Sequence, residues 1–267
     1  MSNIKQLHIS QSAYLPDCRQ ILWHNPGTYN NDRPFIDEVH LDSRELVGKE
    51  GSEWWRPYED ISRLEIIGDI PGGFEFIRNL KNLRSLGIFQ SDMLDNIKFI
   101  EGLYKLEFLQ IVNCPLVSDI TPVVNLRNKQ YFKRHENEYK SLQNIILRRC
   151  TISSLDAFRK DKTQTIGELH LRRNSIEDVE PLAGKWIDYL SLSHNKVKDI
   201  GPLYSKGRSV ARLNVRHNKI TRVSEALNKF AQSKWVTELW IADNPLEAEE
   251  YFKINNFNQN IRVMDIG

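Results

Sequence analysis

The sequence is poor in cysteine, with only Cys18, Cys114 and Cys150 among 267 residues. They are too few and too scattered for a disulfide framework, and no CxxC or Cys/His spacing suits zinc. No run approaches the roughly 18 apolar residues of a membrane-spanning helix. The opening residues, Met1 to Ser10, lack the basic-then-apolar pattern of a secretion signal. These absences predict a cytoplasmic chain in a reducing setting, with no membrane partner. An excess of one charge is also missing: 37 Lys and Arg stand against 35 Asp and Glu, a net of +2. With 40% hydrophobic residues, that composition excludes disorder and fibrous classes. HExxH, GxSxG, GxxxxGKS/T and a strand-following GxGxxG are all absent, so nothing predicts an enzyme or a cofactor.

What is present is a repeat. The pattern apolar-x-x-apolar-x-apolar occurs eleven times, from Ile4 to Ile261. Its middle positions are Leu7, Val39, Leu64, Leu86, Leu109, Ile145, Leu169, Leu190, Leu213, Leu239 and Met264, mostly 21 to 26 residues apart. All 33 pattern positions are apolar, a regularity that chance does not supply in a chain of this composition. Five residues past the middle stand Asn174, Asn195, Asn218 and Asn244, with Cys114 and Cys150 in two earlier units. An asparagine there bonds backbone groups where the chain leaves a strand and they would otherwise be buried unpaired. Arg44, Asp69 and Ser91 occupy the same place in three early units, where less regular turns are expected.

The stretches NSIEDVEPLAG and NKVKDIGPLYS resemble leucine-rich repeats of the short class found in phosphatase regulatory subunits and internalins. The resemblance spans nearly the whole chain. It implies an α/β solenoid of about eleven coils, with a parallel sheet on the concave face and 3₁₀ turns and loops on the convex face. One domain over residues 1–267 is expected, with enlarged loops near 12–34 and 127–141. End strands at Ile4 and Ile261 would be open edges, offering self-association.

Strand alternation places the residues flanking each middle position on the concave face. In the early units that face carries Ile67, Phe89, Phe108 and Val112, an apolar patch of the kind that marks contacts. In later units it carries Arg148, Arg149, Arg172, Arg173, Arg212 and Arg216, with His170, His194 and His217 among them. From Lys140 to Arg222 there are 17 Lys and Arg against 8 Asp and Glu, so this stretch carries +9 and the remainder −7. Arginine pairs with carboxylates in a bidentate fork, and Tyr189 and Trp240 add aromatic anchors. The prediction is a non-enzymatic module that holds an acidic protein partner on its concave face as regulator, scaffold or toxin-neutralising binder.

Three competing readings are weighed against this. His8 and His40, with Glu38, Asp42 and Glu65 nearby, form the one constellation suited to a metal-dependent or catalytic role; histidines on an exposed sheet are more often solvated. An arginine-lined groove suits nucleic acid, but a net of +2 and the neighbouring apolar patch rank it below a protein partner. In the third reading the arginines are a solvated strand face on a structural spacer whose loops, Arg127 to Lys140 above all, do the binding. Cys114 and Cys150 sit in adjacent units at disulfide-compatible spacing, and reduced buried thiols are the favoured reading.

Overall fold

The computed structural model describes residues 6–10, 38–49, 51–133, 141–207, 210–223, 225–226, 228, 237–256 and 263–265. Among them, eleven strands form one parallel sheet: β1 Gln6–Ser10, β2 Glu38–Asp42, β3 Arg63–Ile67, β4 Ser85–Phe89, β5 Phe108–Val112, β6 Asn144–Arg148, β7 Thr165–His170, β8 Trp186–Ser191, β9 Val210–Asn214, β10 Glu238–Trp240 and β11 Val263–Asp265. Middle positions pair with middle positions, as in Leu86 with Leu109, Leu109 with Ile145 and Leu190 with Leu213. Because the side-chain period of a strand is two, this common register sends every leucine of the pattern to the same side. Leu64, Leu86, Leu109, Ile145, Leu169, Leu190, Leu213 and Leu239 all have zero exposure.

Short 3₁₀ segments return the chain on the convex side, including Glu75–Asn79, Lys98–Gly102, Asp156–Lys160, Glu180–Leu182 and Gly201–Tyr204. Several start from a short polar side chain that accepts the amide two residues on. Asp178 takes that of Glu180 at 2.8 Å, and Asp199 that of Gly201 at 2.7 Å. Pro181 and Pro202 follow at once, where a missing N–H costs nothing.

The turn residues tie coil to coil. Asn218 donates to the Leu192 and Val215 carbonyls at 3.0 and 2.9 Å and accepts the Val197 amide at 3.0 Å. Asn195 and Asn244 do the same one coil either way, reaching Leu171 and Leu192, and Val215 and Ile241. Cys114 and Cys150 are free, buried thiols in the same place. Cys150 reaches the Ile111 carbonyl only at 3.9 Å, and burial pushes the two thiols up to about 11 and about 12, which makes them inert. In the early coils the ladder changes chemistry. Ser91 donates to Asp69 at 2.6 Å and accepts the Leu94 amide at 3.0 Å, and Asp69 accepts the Met93 amide.

Two expectations need correction. β1 lies between β2 and β3, with Leu7 paired to both Val39 and Leu64, so β2 and not the first strand is the edge. β2 thus carries Glu38 and Asp42 at that edge, and Asp42 is paired with Arg44. The enlarged segment near 127–141 begins as part of a helix, α1 Thr121–Lys133, and not as a loop. Its Arg127 has no exposure: it pairs with Asp161 at 3.1 Å and donates to Thr163, the Leu142 carbonyl and the Thr165 carbonyl. Gln130 bridges Leu106 and Leu142 at 2.8 and 2.7 Å. Arg127 and Gln130 therefore hold coils together and are not presented to a partner. The segment near 12–34 and residues 134–140 lie outside the described residues.

From β3 to β10 the chain also leaves each strand through a left-handed residue. Gln90, Asn113, Arg149, Arg173, His194, His217 and Asp243 have φ between 52° and 61°, and Gly68 takes the position one coil earlier. The amides of this column continue the ladder, as in His194 to the Arg216 carbonyl at 2.9 Å.

Removing one rung should be costly. Asn218→Ala leaves the Leu192 and Val215 carbonyls and the Val197 amide short of a partner, and should lower stability to denaturant by about 2–4 kcal/mol. A loss below about 0.5 kcal/mol, the scale of an ordinary surface change, would show that the rung does not hold the coils.

Candidate functional site

The concave columns follow from the register. Glu168 pairs with Tyr189, Tyr189 with Arg212 and Arg212 with Glu238; His170 pairs with Ser191, Ser191 with Asn214 and Asn214 with Trp240. Phe108 pairs with Asn144, and Phe89 with Val112, which in turn pairs with Arg148. Of the residues singled out in the sequence, this register aligns Phe89, Phe108, Val112, Arg148, His170, Tyr189, Arg212 and Trp240 along the sheet, whereas Arg149, Arg173, His194 and His217 stand in the left-handed turns that follow the strands.

Their availability differs. In the early coils Phe89 is only 6% exposed, because its ring folds over Gly87, where an added Cβ would lie 2.7 Å from the ring. Phe108, Val112 and Ile67 are half-buried. The free apolar surface there is smaller than the sequence predicts. Gln110 lines the floor between the two regions at 1% exposure, and its Oε1 has no hydrogen-bond partner among the described residues.

Further along lies a polar and aromatic cluster. Glu168 sits 3.1 Å from His170 and 3.5 Å from Arg212. Its hydrogen bond to His170, reinforced by the charges of both neighbours against the cost of burial, holds its carboxyl below the usual range. Arg212 also lies 5.0 Å above the Tyr189 ring, which meets His170 edge-on at 4.9 Å and Trp240 edge-on at 6.2 Å. Arg216 pairs with Asp265. Both arginines of this region are thus neutralised from within the fold.

Between these regions stand Arg148, Arg149, Arg172 and Arg173, and among the described residues none of them has a carboxylate within ion-pair distance. Arg148 and Arg172 are half-buried, whereas Arg149 and Arg173 are exposed. Burial first, then the neighbouring guanidinium groups, lowers the pKa of both Arg148 and Arg172. The Nε of Arg172 is buried without a hydrogen-bond partner, and its Nη2 lies 3.2 Å from His194 Nε2. That contact needs the neutral imidazole as acceptor. Burial, the stacked His217 ring 4.0 Å away and Arg172 and Arg173 all push His194 towards that form, Asp243 opposing them. His217 in turn pairs with Asp243 at 3.2 Å.

Other constellations fare differently. The register sets His8 beside His40 and Glu65, but the side chains of His8, His40 and Glu38 lie outside the described residues. Asp42 is taken up by Arg44, whose amide it also accepts at 2.9 Å. Among the described residues, no group of three His, Cys, Asp or Glu could hold a metal ion. Among them, too, no helix is long and apolar enough to cross a membrane. The sequence reading missed the division of the six arginines into paired and unpaired sets, because Glu168 and Asp265 act across strands up to two coils away. It also missed the left-handed column, although Gly68, Asn113 and Asp243 are the residue types that mark it.

No protein-family model matches this chain, and no curated protein matches it either. Solved structures do. Internalin C2 of Listeria monocytogenes is 20% identical over 76% of this chain and 77% of its own, with a TM-score of 0.53. A second internalin of that species is 16% identical over 86% of this chain and 72% of its own, at 0.50. A leucine-rich-repeat protein of Leptospira interrogans is 21% identical over 86% of this chain and 61% of its own, at 0.54. Agreement at this level of identity speaks to architecture, and together with the ladder of turn asparagines it shows that the chain has the leucine-rich-repeat fold.

Proposed function

We propose that this protein is a non-enzymatic interaction module whose concave face holds an acidic region of a protein partner. The observation that carries the reading is the set of four arginines, Arg148, Arg149, Arg172 and Arg173, without a carboxylate in ion-pair distance among the described residues, in a fold that neutralises Arg212 and Arg216. Like charges on adjacent strands destabilise a sheet, and half-burial raises that cost. A partner that brings carboxylates removes the repulsion and satisfies the guanidinium donors in the fork geometry they favour. Tyr189, on the strand next to the quartet, and Trp240 beyond it, both half-buried, supply the aromatic contact area typical of protein interfaces. Arg212, itself paired with Glu168, lies over the Tyr189 ring, and that ring meets Trp240 edge-on. A scaffold, regulatory or toxin-neutralising role is compatible with such a face.

A charge-matched comparison tests the reading. Arg148→Gln with Arg172→Gln and Arg212→Gln with Arg216→Gln remove the same formal charge. Binding of a fluorescent polyglutamate peptide should fall about tenfold or more in the first pair and much less in the second, with salt weakening the wild type most. Equal losses in the two pairs would reduce the effect to overall charge and overturn the assignment of the face.

His194 gives a pH signature. Its pKa lies below the ordinary 6.5, so it is neutral at pH 7 and becomes a cation only as the pH falls through the depressed value. An acidic ligand favours the cation, so polyglutamate affinity should rise between about pH 7.5 and 5.5. Without ligand the sign reverses. The unfolded chain takes up the proton first, so thermal stability should fall as pH drops below about 6.5. His194→Gln should diminish both trends; an unchanged pair of profiles would remove His194 from the site.

A further inference from the structure

We infer that Arg149 and Arg173 are affinity determinants retained against the stability of the fold, reading closely spaced carboxylates on a partner segment that runs along the left-handed turn column. The inference rests on the concave-face reading above and adds which residues carry it and where the ligand lies.

The left-handed turn is a demand of the coil itself, since seven consecutive coils adopt it with φ of 52° to 61° at a residue other than glycine. What varies is the residue that fills it. Gly68, Asn113 and Asp243 are types for which this conformation is easy, and His194 and His217 are tolerated. Arginine gains no such ease, nor does Gln90 in an early coil. The Cβ of any L residue crowds the following carbonyl there, and these longer side chains are not suited to the local backbone bond that Asn or Asp makes. Of the two types, arginine alone adds charge to that cost. Two adjacent coils nevertheless place arginine there.

Neither side chain recovers the strain inside the molecule. Arg149 and Arg173 are exposed, and their guanidinium groups make no hydrogen bond or ion pair among the described residues. After burial itself, the charges of Arg173 and Arg149 lower the pKa of Arg172, as like charges close by do. Asn113, in the coil before Arg149, occupies the same backbone conformation with a side chain suited to it. Residues that strain the backbone, repel their neighbours and pack against nothing are explained by a contact outside the chain. The spacing of that contact is fixed by the sheet. Arg149 and Arg173 stand on neighbouring coils about one strand spacing, roughly 4.8 Å, apart. A partner segment crossing both coils meets them with carboxylates on neighbouring or alternate residues.

The double variant Arg149→Asn with Arg173→Asn separates stability from binding. Its melting temperature should rise by about 4 °C over the wild type, as two strained positions are relieved and two like charges removed. Its affinity for polyglutamate should fall about tenfold or more. A melting temperature equal to or below that of the wild type would show that the arginines stabilise the fold, and unchanged affinity would show that they do not read the ligand; either result overturns the inference. If the Arg148 and Arg172 variants lose binding while this one retains it, the face stands and only the turn-column assignment fails. If neither pair affects binding, the concave-face reading fails with it.

Discussion

Everything in this molecule depends on how backbone groups are paired where each strand ends. A chain that coils with a period near 23 residues must turn away from its sheet once per unit, and the turn buries amides and carbonyls that no neighbouring strand can reach. Unpaired, each would cost a substantial part of the stability that the leucines supply. Asn195, Asn218 and Asn244 meet that demand with one side chain per coil, accepting an amide from the preceding coil and donating to carbonyls of both. The left-handed residue one place earlier turns the chain so that this bond forms. Sheet register, buried leucines and the concave columns follow from repeating this one solution.

The same rigidity explains how charge is arranged. A solenoid cannot bury its concave face against itself, so that face is free to carry side chains chosen for something other than packing. Where the fold neutralises arginine, it does so across strands: Glu168 reaches Arg212 and Asp265 reaches Arg216. Where it does not, four arginines accumulate, and His194 is kept neutral beside them. On the opposite side Arg127, with Asp161 and Lys185, is fully internal and wholly satisfied. Arginine thus plays two opposite parts here, as an internal brace between α1 and the coils, and as an unpartnered group on an open face.

Much of the fold was legible because period and register are one-dimensional properties. The apolar triplets place Leu64, Leu109 and Leu190 in the core, and the turn asparagines fall at a fixed distance behind them. The sequence also places Arg172 and Tyr189 on one face, since alternation fixes sides. What it could not provide were contacts between distant residues. That Phe89 folds over Gly87, that Glu168 claims Arg212, or that β1 slips between β2 and β3 depends on side-chain reach and on competition between strands, which no periodic pattern encodes. Arg127 was misplaced for a related reason. A charged residue in an irregular stretch reads as surface, and only the approach of Asp161, Thr163 and the Leu142 carbonyl from other coils makes its burial tolerable.

The central claim is that turn side chains bind successive coils into one register, and native-state hydrogen exchange tests it at single amides. Ile176, Val197 and Ile220 donate to Asn195, Asn218 and Asn244 at 3.0 to 3.1 Å although none lies in a strand. Their amides should exchange as slowly as those of the strands beside them, opening only with the coil stack. Exchange at the rate of exposed turn amides such as that of Lys198 would contradict the account, for then neither the register nor the arginine face it assembles would be held in place.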